Sequence, residues 1–270
     1  MRFAAFYENI LTAVEQSGIP LPELLDRLTA EGLGCIYISG DSLSADEEGL
    51  LKLFSEKGLP VEGIHQHFDL GHDPGDPSLE ATMDLAKRAG AGSFLLVPGM
   101  VPKGEEDRAE ILIRNMLAGA RRAVEYGREI GVTVCMEDYD HMTSPYNSVK
   151  GLARFLEEVP GMKCCFDTGN FVCYGEDPLA AFPRFAADIC AVHLKDRVFE
   201  EGADTGVPCV CADGSRAYTA PVGSGEMPIR QILGLLRQNG YAGNAVVELY
   251  GCGDMLGGLI RSLNWVRQFA

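Results

Sequence analysis

Short apolar runs alternate with amphipathic segments along the whole chain. The apolar runs are rich in β-branched and aromatic residues, as strands are, whereas the segments between them repeat apolar residues at helical spacing. Many of the helical segments end at a glycine, which is typical of a helix C-terminus. Eight runs are predicted strands: Arg2–Phe6, Gly34–Ile38, Val61–His65, Ser93–Val97, Val132–Glu137, Lys163–Asp167, Ile189–Leu194 and Ala245–Leu249.

Eight strands alternating with helices in 270 residues favour an α/β fold, a (β/α)8 TIM barrel, and we expect residues 1–270 to form one such domain. A doubly wound open sheet is the alternative, but no Gly-x-Gly-x-x-Gly motif follows the first strand. The segment from Lys195 to Met227 is rich in Gly, Pro, Asp and Ser and lacks helical periodicity. It is predicted to be a long loop at the face of the barrel where active sites lie.

Four predicted strands end in side chains that bind metal ions. The fifth ends at Glu137, the sixth at Asp167, the seventh carries His193 and the eighth carries Glu248. Taken singly, each could cap a helix or begin a solvated loop. The carboxyl ends of parallel barrel strands meet at one rim, and unpaired carboxylates in apolar surroundings are costly. Together the four residues therefore predict a site for one divalent metal ion: Mn²⁺, Mg²⁺, Co²⁺ or Zn²⁺.

The seventh strand continues into further polar residues, in the stretch "ICAVHLKDR". Lys195 alternates with His193 across Leu194, so both side chains are predicted to face inward. Lys195 and Arg197 are predicted to bind a substrate hydroxyl, carboxylate or phosphate. Asp196 is expected to orient His193 or to pair with a neighbouring cation.

A histidine on the third strand is a further candidate for substrate binding. Between His65 and His67, His65 is the better candidate to lie beside the substrate, although a partly buried histidine bonded to backbone fits the pattern equally well.

Charge and cysteine content narrow the function classes. A net charge of −16 argues against a general nucleic-acid binder, which needs a basic surface. There is no apolar run long enough to cross a membrane and no secretory signal pattern, so a cytoplasmic location is expected. Several of the nine cysteines lie in apolar runs, which predicts core packing in a reducing compartment. Cys209 and Cys211 form a close pair, but no second pair completes a four-sulfur zinc site.

The order and spacing of several motifs carry a family resemblance. The motifs are "MED", "FDTGN", "VHLKD", "VGSGEMPI" and "GYAGNAVVEL", and they span most of the chain. The chain resembles the xylose isomerase-like TIM barrels of the sugar phosphate isomerase/epimerase group. This resemblance implies that Glu137, Asp167, His193 and Glu248 hold the metal and that the two glutamates also act as acid/base residues.

One position departs from the pattern of that family. Family members often carry a histidine that contacts the substrate three residues after the aspartate of the sixth strand, whereas this chain has Asn170. An asparagine can donate and accept hydrogen bonds but cannot change its charge near neutral pH. Asn170 is therefore predicted to bind substrate in a manner that differs from the usual one.

The predicted function is that of a divalent-metal-dependent isomerase or epimerase of a small sugar, sugar phosphate or related hydroxy-carbonyl compound. The reaction would proceed by proton transfer through a metal-stabilised enediolate. An inosose-type dehydratase using the same site is the alternative, followed by a non-catalytic sugar-binding barrel and an abasic-site endonuclease. The endonuclease would need a basic face and more histidine ligands than the five histidines here offer. The expected partner is a small carbohydrate, without nucleic acid or membrane, and the resemblance is compatible with a homo-oligomer.

Overall fold

Eight parallel strands close into a barrel in the computed structural model, which describes residues 1–202 and 204–269. The strands of the barrel are β1 (Arg2–Phe6), β2 (Leu33–Ser39), β3 (Val61–His67), β4 (Ser93–Val97), β5 (Thr133–Met136), β6 (Lys163–Asp167), β7 (Ile189–Leu194) and, after three strands outside it, β11 (Asn244–Val247). They follow chain order around the ring, and β11 lies between β7 and β1. The predicted (β/α)8 TIM barrel is confirmed, and the predicted strand bounds differ by no more than two residues at either end.

Amphipathic helices connect the strands and pack their apolar faces against the outside of the barrel. They are α1 (Tyr7–Ser17), α2 (Leu21–Ala30), α3 (Gly40–Ala45), α4 (Glu47–Glu56), α5 (Ser78–Arg88), α6 (Ala109–Ile130), α7 (Val149–Glu158), α8 (Pro178–Phe185), α9 (Ile229–Gln238) and α10 (Met255–Val266). Gly18 and Gly131 end α1 and α6 with φ angles of 69° and 79°, a left-handed conformation that favours glycine. Across the described residues, no helix is both long enough and apolar enough to cross a membrane.

Small and medium apolar side chains fill the inside of the barrel below its carboxyl-terminal mouth. Gly63 leaves room for the Tyr37 ring, because a Cβ at this glycine would lie 2.1 Å from that ring. Side chains alternate along a strand, so residues two positions further along also face inward, towards the mouth. The interior cluster consists of Ala4, Cys35, Tyr37, Leu95, Cys135, Cys165, Ala191 and Val246. Four members of this cluster lie two positions before a predicted metal ligand along the chain, and therefore directly below it.

The long segment after β7 contains regular structure that the sequence did not predict. β8 (Asp196–Val198), β9 (Pro208–Val210) and β10 (Arg216–Ala220) form an antiparallel sheet with β10 in the middle. The segment lies at the mouth of the barrel as predicted, but its three strands of three to five residues were missed because they are too short to show a clear alternating pattern. This sheet lies beside the mouth of the barrel, where Arg197 and Cys209 line the same cavity as Glu248.

Candidate active site

Four side chains with metal-binding atoms converge at the carboxyl-terminal mouth of the barrel. Asp167 is the last residue of β6 and His193 lies on β7, while Glu137 and Glu248 directly follow β5 and β11. Each side chain offers one ligand atom, and these atoms all lie within 4.8 Å of one another. Asp167 and His193 are fully buried, and Glu137 is 6% exposed. The structure thus brings together all four predicted ligands from distant parts of the chain.

Several polar atoms of this cluster face one another without hydrogen bonds. His193 Nδ1 lies 2.8 Å from Glu137 Oε2 and 3.2 Å from Glu248 Oε2. Among the described residues, neither these three atoms nor Asp167 Oδ2 has a partner with hydrogen-bond geometry. Buried polar atoms without partners are costly, and a cation between them would remove that cost. Because carboxylate and imidazole ligands suit Mn²⁺, Mg²⁺, Co²⁺ or Zn²⁺, these residues fit a divalent metal ion.

Lys195 places a buried positive charge beside the cluster. Its side chain follows His193 in phase, and Nζ forms an ion pair with Glu248 Oε1 at 2.7 Å. Nζ also lies 3.7 Å from both Asp167 Oδ2 and Asp140 Oδ2. Burial lowers the pKa of Lys195, but Asp140, Asp167 and Glu248 outweigh it and raise the pKa well above its usual value. The prediction that Lys195 and His193 face inward together is confirmed, and the lysine stays charged.

The charges around this cluster also shift the pKa values of two of its carboxyl groups. Burial, opposed by Lys195, raises the pKa of Asp167 to about 7. Burial acts in the same direction on Glu248, but Lys195 and His193 hold the pKa of Glu248 well below its usual range. The two carboxyl groups therefore differ, because protons would compete with a cation for Asp167 near neutral pH but not for Glu248.

Asn170 holds Lys195 in place. Its side chain is 1% exposed, and its Oδ1 accepts a hydrogen bond from Lys195 Nζ at 2.8 Å. Its Nδ2 donates to the backbone carbonyl of Asp138 at 2.7 Å, while its backbone N–H donates to Asp167 Oδ1 at 2.8 Å. Both polar ends of the asparagine are thus engaged by the protein. The predicted contact between Asn170 and substrate stays a prediction.

Arg197 is held by the protein on several sides. Its guanidinium is 1% exposed and forms an ion pair with Asp140. Nε donates a hydrogen bond to the Gly169 carbonyl at 3.2 Å, and Nη1 donates to Thr219 Oγ1 at 3.4 Å. Arg197 still lines the cavity above the cluster, so the predicted substrate contact also stays a prediction.

Asp196 has a different role from the expected one. Its carboxylate accepts hydrogen bonds from the backbone N–H groups of Gly223 at 2.8 Å, Gly225 at 2.9 Å and Met227 at 3.1 Å. It also accepts a hydrogen bond from the backbone N–H of Arg197 at 3.0 Å. The expectation that Asp196 orients His193 or pairs with a cation is therefore wrong. Side chains alternate along β8, so Asp196 points away from the cluster and fixes the glycine turn before α9.

His65 lies on β3, at the mouth of the barrel on the side opposite β7. Its ring stacks on Tyr37, with centroids 5.7 Å apart and ring planes 1° apart. Its Nε2 lies 3.5 Å from Glu8 Oε2, and the other oxygen of Glu8 accepts a hydrogen bond from the backbone N–H of Ser39 at 3.0 Å. Glu8 and Tyr37 thus fix the imidazole, and its predicted contact with substrate stays a prediction.

A cavity of about 410 Å³ opens above the metal-ligand cluster. Its wall includes Lys195, Arg197 and Glu248, together with Tyr139 and Asp140 from the loop after β5. Sequence reasoning missed these last two residues, although "MEDYD" places both within three positions of Glu137. This volume suits a small molecule with several oxygen atoms.

Comparison with known proteins identifies the family of this barrel. The model of the xylose isomerase-like TIM barrel matches residues 20–269. The chain belongs to this family. The resemblance read from the sequence is therefore confirmed.

The chain is similar to several known proteins at low sequence identity. Inosose dehydratase of Lacticaseibacillus casei is 27% identical over 139 residues, which cover 49% of this chain and 45% of that protein. The chain thus matches less than half the length of this curated relative. Two crystal structures share the fold across 99% of both chains: a probable 3-DHS dehydratase from Bacillus anthracis, with 17% identity and a TM-score of 0.72, and 3-keto-D-glucoside 4-epimerase from E. coli, with 16% identity and a TM-score of 0.74.

Proposed function

We propose that this protein is a divalent-metal-dependent enzyme that isomerises or epimerises a small polyhydroxylated carbonyl compound by proton transfer. The observation that carries this proposal is the cluster of Glu137, Asp167, His193 and Glu248, whose ligand atoms lie within 4.8 Å of one another at the mouth of the barrel. A buried lysine beside this cluster and a cavity above it complete the set of groups that such chemistry needs. Membership of the xylose isomerase-like family supports the same reaction class.

The four clustered residues would hold the metal ion: Mn²⁺, Mg²⁺, Co²⁺ or Zn²⁺. When bound, the ion supplies Lewis acidity that polarises the carbonyl group of the substrate. Glu137 would take a proton from the carbon next to that carbonyl. Glu248, whose Oε1 forms an ion pair with Lys195, would act as the second proton carrier.

Lys195 would bind the substrate oxygen on which negative charge develops. Its ammonium group is fixed by Glu248 and Asn170 and is kept protonated by the surrounding carboxylates. A fixed positive charge in a buried site stabilises developing charge without the cost of reorganising solvent. Return of the proton to the neighbouring carbon gives an isomer, whereas return to the opposite face of the same carbon gives an epimer.

Dehydration is the second candidate reaction, and the position of Lys195 favours it. A buried ammonium group can give a proton to a departing hydroxyl, so that the substrate loses water after a glutamate has taken the carbon-bound proton. The partial match to inosose dehydratase points in the same direction. Both reactions share their first proton transfer and differ only in their later steps.

Incubation of the full chain in D₂O with ketoses, sugar phosphates, inososes and hydroxypyruvate, with each metal in turn, tests the proposal. Deuterium should enter the carbon next to the carbonyl of the true substrate. A product of unchanged composition indicates isomerisation or epimerisation, and loss of water indicates dehydration.

Variants connect that reaction to the metal-ligand cluster. Both Glu137→Gln and Glu248→Gln should abolish turnover and deuterium exchange while the fold is retained. Glu125→Gln, which changes an exposed glutamate of α6, should behave as the unchanged protein. Near-normal activity of Glu248→Gln on the substrate identified would overturn the assignment. Binding of a sugar without exchange in the unchanged protein would favour a non-catalytic barrel.

A further inference from the structure

Three cysteines outside the carboxylate cluster lie close together. Cys173 belongs to a short 3-10 turn, Phe171–Tyr174, that follows β6, whereas Cys209 lies on β9 and Cys211 directly follows that strand. The three sulfur atoms lie within 4.8 Å of one another. Cys173 and Cys209 are joined as a disulfide, and Cys211 is free and 6% exposed. A disulfide uses only two of these three sulfurs.

The backbone holds this group of three cysteines in place. Cys209 and Cys211 are two positions apart on an extended segment, so their thiols share one face, while Val210 between them is 55% exposed. The backbone N–H of Ala212 donates a hydrogen bond to the Cys173 carbonyl at 2.8 Å, which ties the two segments together. Ala217 pairs with Cys209 across the sheet and packs against the three cysteines. The arrangement therefore does not depend on the disulfide alone.

We propose that Cys173, Cys209 and Cys211, in their reduced form, are the ligands of a second metal site, specific for a thiophilic cation such as Zn²⁺. Thiolate ligands select Zn²⁺ over Mg²⁺ or Mn²⁺, and Zn–S bonds of about 2.3 Å place bound sulfurs at separations compatible with this group. The Cα atoms of Cys173 and Cys209 are 7.0 Å apart, at the outer limit of what a disulfide spans. A metal ion bridges this separation readily and also uses the third sulfur.

The proposed site joins two segments that shape the active-site cavity. Cys173 lies three residues after Asn170, which holds Lys195, and Cys209 itself lines the cavity beside Lys195. Cys209 is half-buried, whereas the other two cysteines are buried, so a cation could enter from its side. The site is independent of the carboxylate cluster, and its loss would leave the four ligands of that cluster unchanged.

Formation of the site begins with reduction of the disulfide. A phosphine reductant supplies two electrons and is oxidised to its oxide with an oxygen atom from water, while the disulfide takes up two protons to give two thiols. Each of the three thiols then loses its proton to solvent as it binds the cation. No further oxidant or reductant is needed.

Cobalt titration of the reduced, metal-free full chain tests the proposal. Thiolate ligands give Co²⁺ an intense near-ultraviolet charge-transfer band, which carboxylate and imidazole ligands do not. We expect this band to appear, Zn²⁺ to displace it, and Zn²⁺ to protect Cys173, Cys209 and Cys211 from alkylation as read by mass spectrometry. Cys211→Ser should weaken Zn²⁺ binding at this site by more than about 100-fold. Loss of a residue that only hydrogen-bonds to a metal ligand already lowers metal affinity by about 10–100-fold.

Matched variants separate this site from the carboxylate cluster. Cys252→Ser replaces a free cysteine that is 3% exposed and lies outside the group, and it should retain the band. The triple replacement of the three cysteines by serine should lose the band while circular dichroism reports an intact fold. A band that survives the triple replacement would come from Cys165, which adjoins Glu137 and His193, and would overturn the proposal. Absence of both the band and the alkylation protection in the reduced protein would also overturn it, leaving the three cysteines as a disulfide and a free thiol.

Discussion

Replacement of Lys195 by methionine tests the charge balance of the active site. Methionine is about as long as lysine and fills the same space without a charge. In the unchanged protein Nζ is 2.7 Å from Glu248 Oε1 and 3.7 Å from Asp167 Oδ2, and the side chain is 5% exposed. Removing one partner of a buried ion pair costs about 3–5 kcal/mol, because the remaining charge stays buried.

The contacts that remain place the expected cost at the low end of this range. Asp140 keeps its ion pair with Arg197, and Asp167 Oδ1 still accepts hydrogen bonds from the backbone N–H groups of Gly169 and Asn170. The loss therefore falls mainly on Glu248. We expect the metal-free Lys195→Met protein to be destabilised by about 3 kcal/mol, which lowers Tm by roughly 6–12 °C in a protein of this size.

A divalent cation should restore most of this stability. It places positive charge beside the carboxylates that have lost the lysine, and it no longer experiences repulsion from a neighbouring ammonium group. Binding of Mn²⁺ or Mg²⁺ should accordingly tighten by a factor on the order of ten or more. Urea denaturation with and without metal measures both effects.

Lys163→Met is the matched control for this experiment. Lys163 lies at the opposite end of the barrel, forms an ion pair with Asp188 at 2.8 Å and has a side chain that is 38% exposed. Its replacement should cost at most about 1 kcal/mol, with no dependence on metal. The reasoning is refuted if metal-free Lys195→Met unfolds within 1 kcal/mol of the unchanged protein, or if metal stabilises the two proteins equally.

Three further replacements test the supporting contacts. Asn170→Ala removes the acceptor of Lys195 and the donor to a buried carbonyl, so urea denaturation should show a loss of about 2–3 kcal/mol, and an unchanged midpoint would contradict the positioning role. Burial opposes ionisation of Glu8, but hydrogen bonds from His65, Ser39 and Ser42 lower its pKa to about 2. The ionised form thus stabilises the fold above about pH 4.5, and this contribution is lost as the pH falls towards 2. Glu8→Gln should be less stable than the unchanged protein by about 1 kcal/mol at pH 7, a value reduced for a side chain that is about a third exposed; the difference should shrink towards pH 2, and a constant difference would contradict the assignment. Asp196→Asn should cost about 2 kcal/mol and speed amide hydrogen exchange in residues 223–227, whereas unchanged exchange would exclude the proposed anchoring of this turn.

The barrel and its four clustered ligands could be predicted because both follow from local patterns. The strand Ser93–Val97 is a largely apolar run between Gly92 and Pro98, and its bounds agree in sequence and structure. Parallel strands in a closed barrel carry their final residues to one rim, so residues as distant as Glu137 and Glu248 meet without any signal that links them in the sequence. The predicted and observed ends of a strand differ where pairing with a neighbouring strand, rather than composition, decides the end, as for β3.

The contacts between the segments at the mouth could not be predicted in the same way. The antiparallel sheet after β7 depends on the register that pairs Thr219 with Arg197 and Ala217 with Cys209. This register, together with the 3-10 turn after β6, brings Cys173 close to the other two thiols. The sequence showed a close pair of cysteines, and the third member of the group lies more than thirty residues earlier. The role of Asp196 was missed for the same reason, since its partners lie 27 to 31 residues further along the chain.

The asparagine at position 170 and the lysine at position 195 are best explained together. With a divalent cation bound, the three carboxylates of the cluster would leave one negative charge, which Lys195 would cancel, while Arg197 and Asp140 balance each other. A protonated histidine at position 170 would place a second cation against the Lys195 ammonium, where Asn170 now accepts a hydrogen bond at 2.8 Å. A neutral amide accepts from the lysine and donates to the Asp138 carbonyl without adding charge. Asn170 therefore holds Lys195 in place without adding a second positive charge beside it.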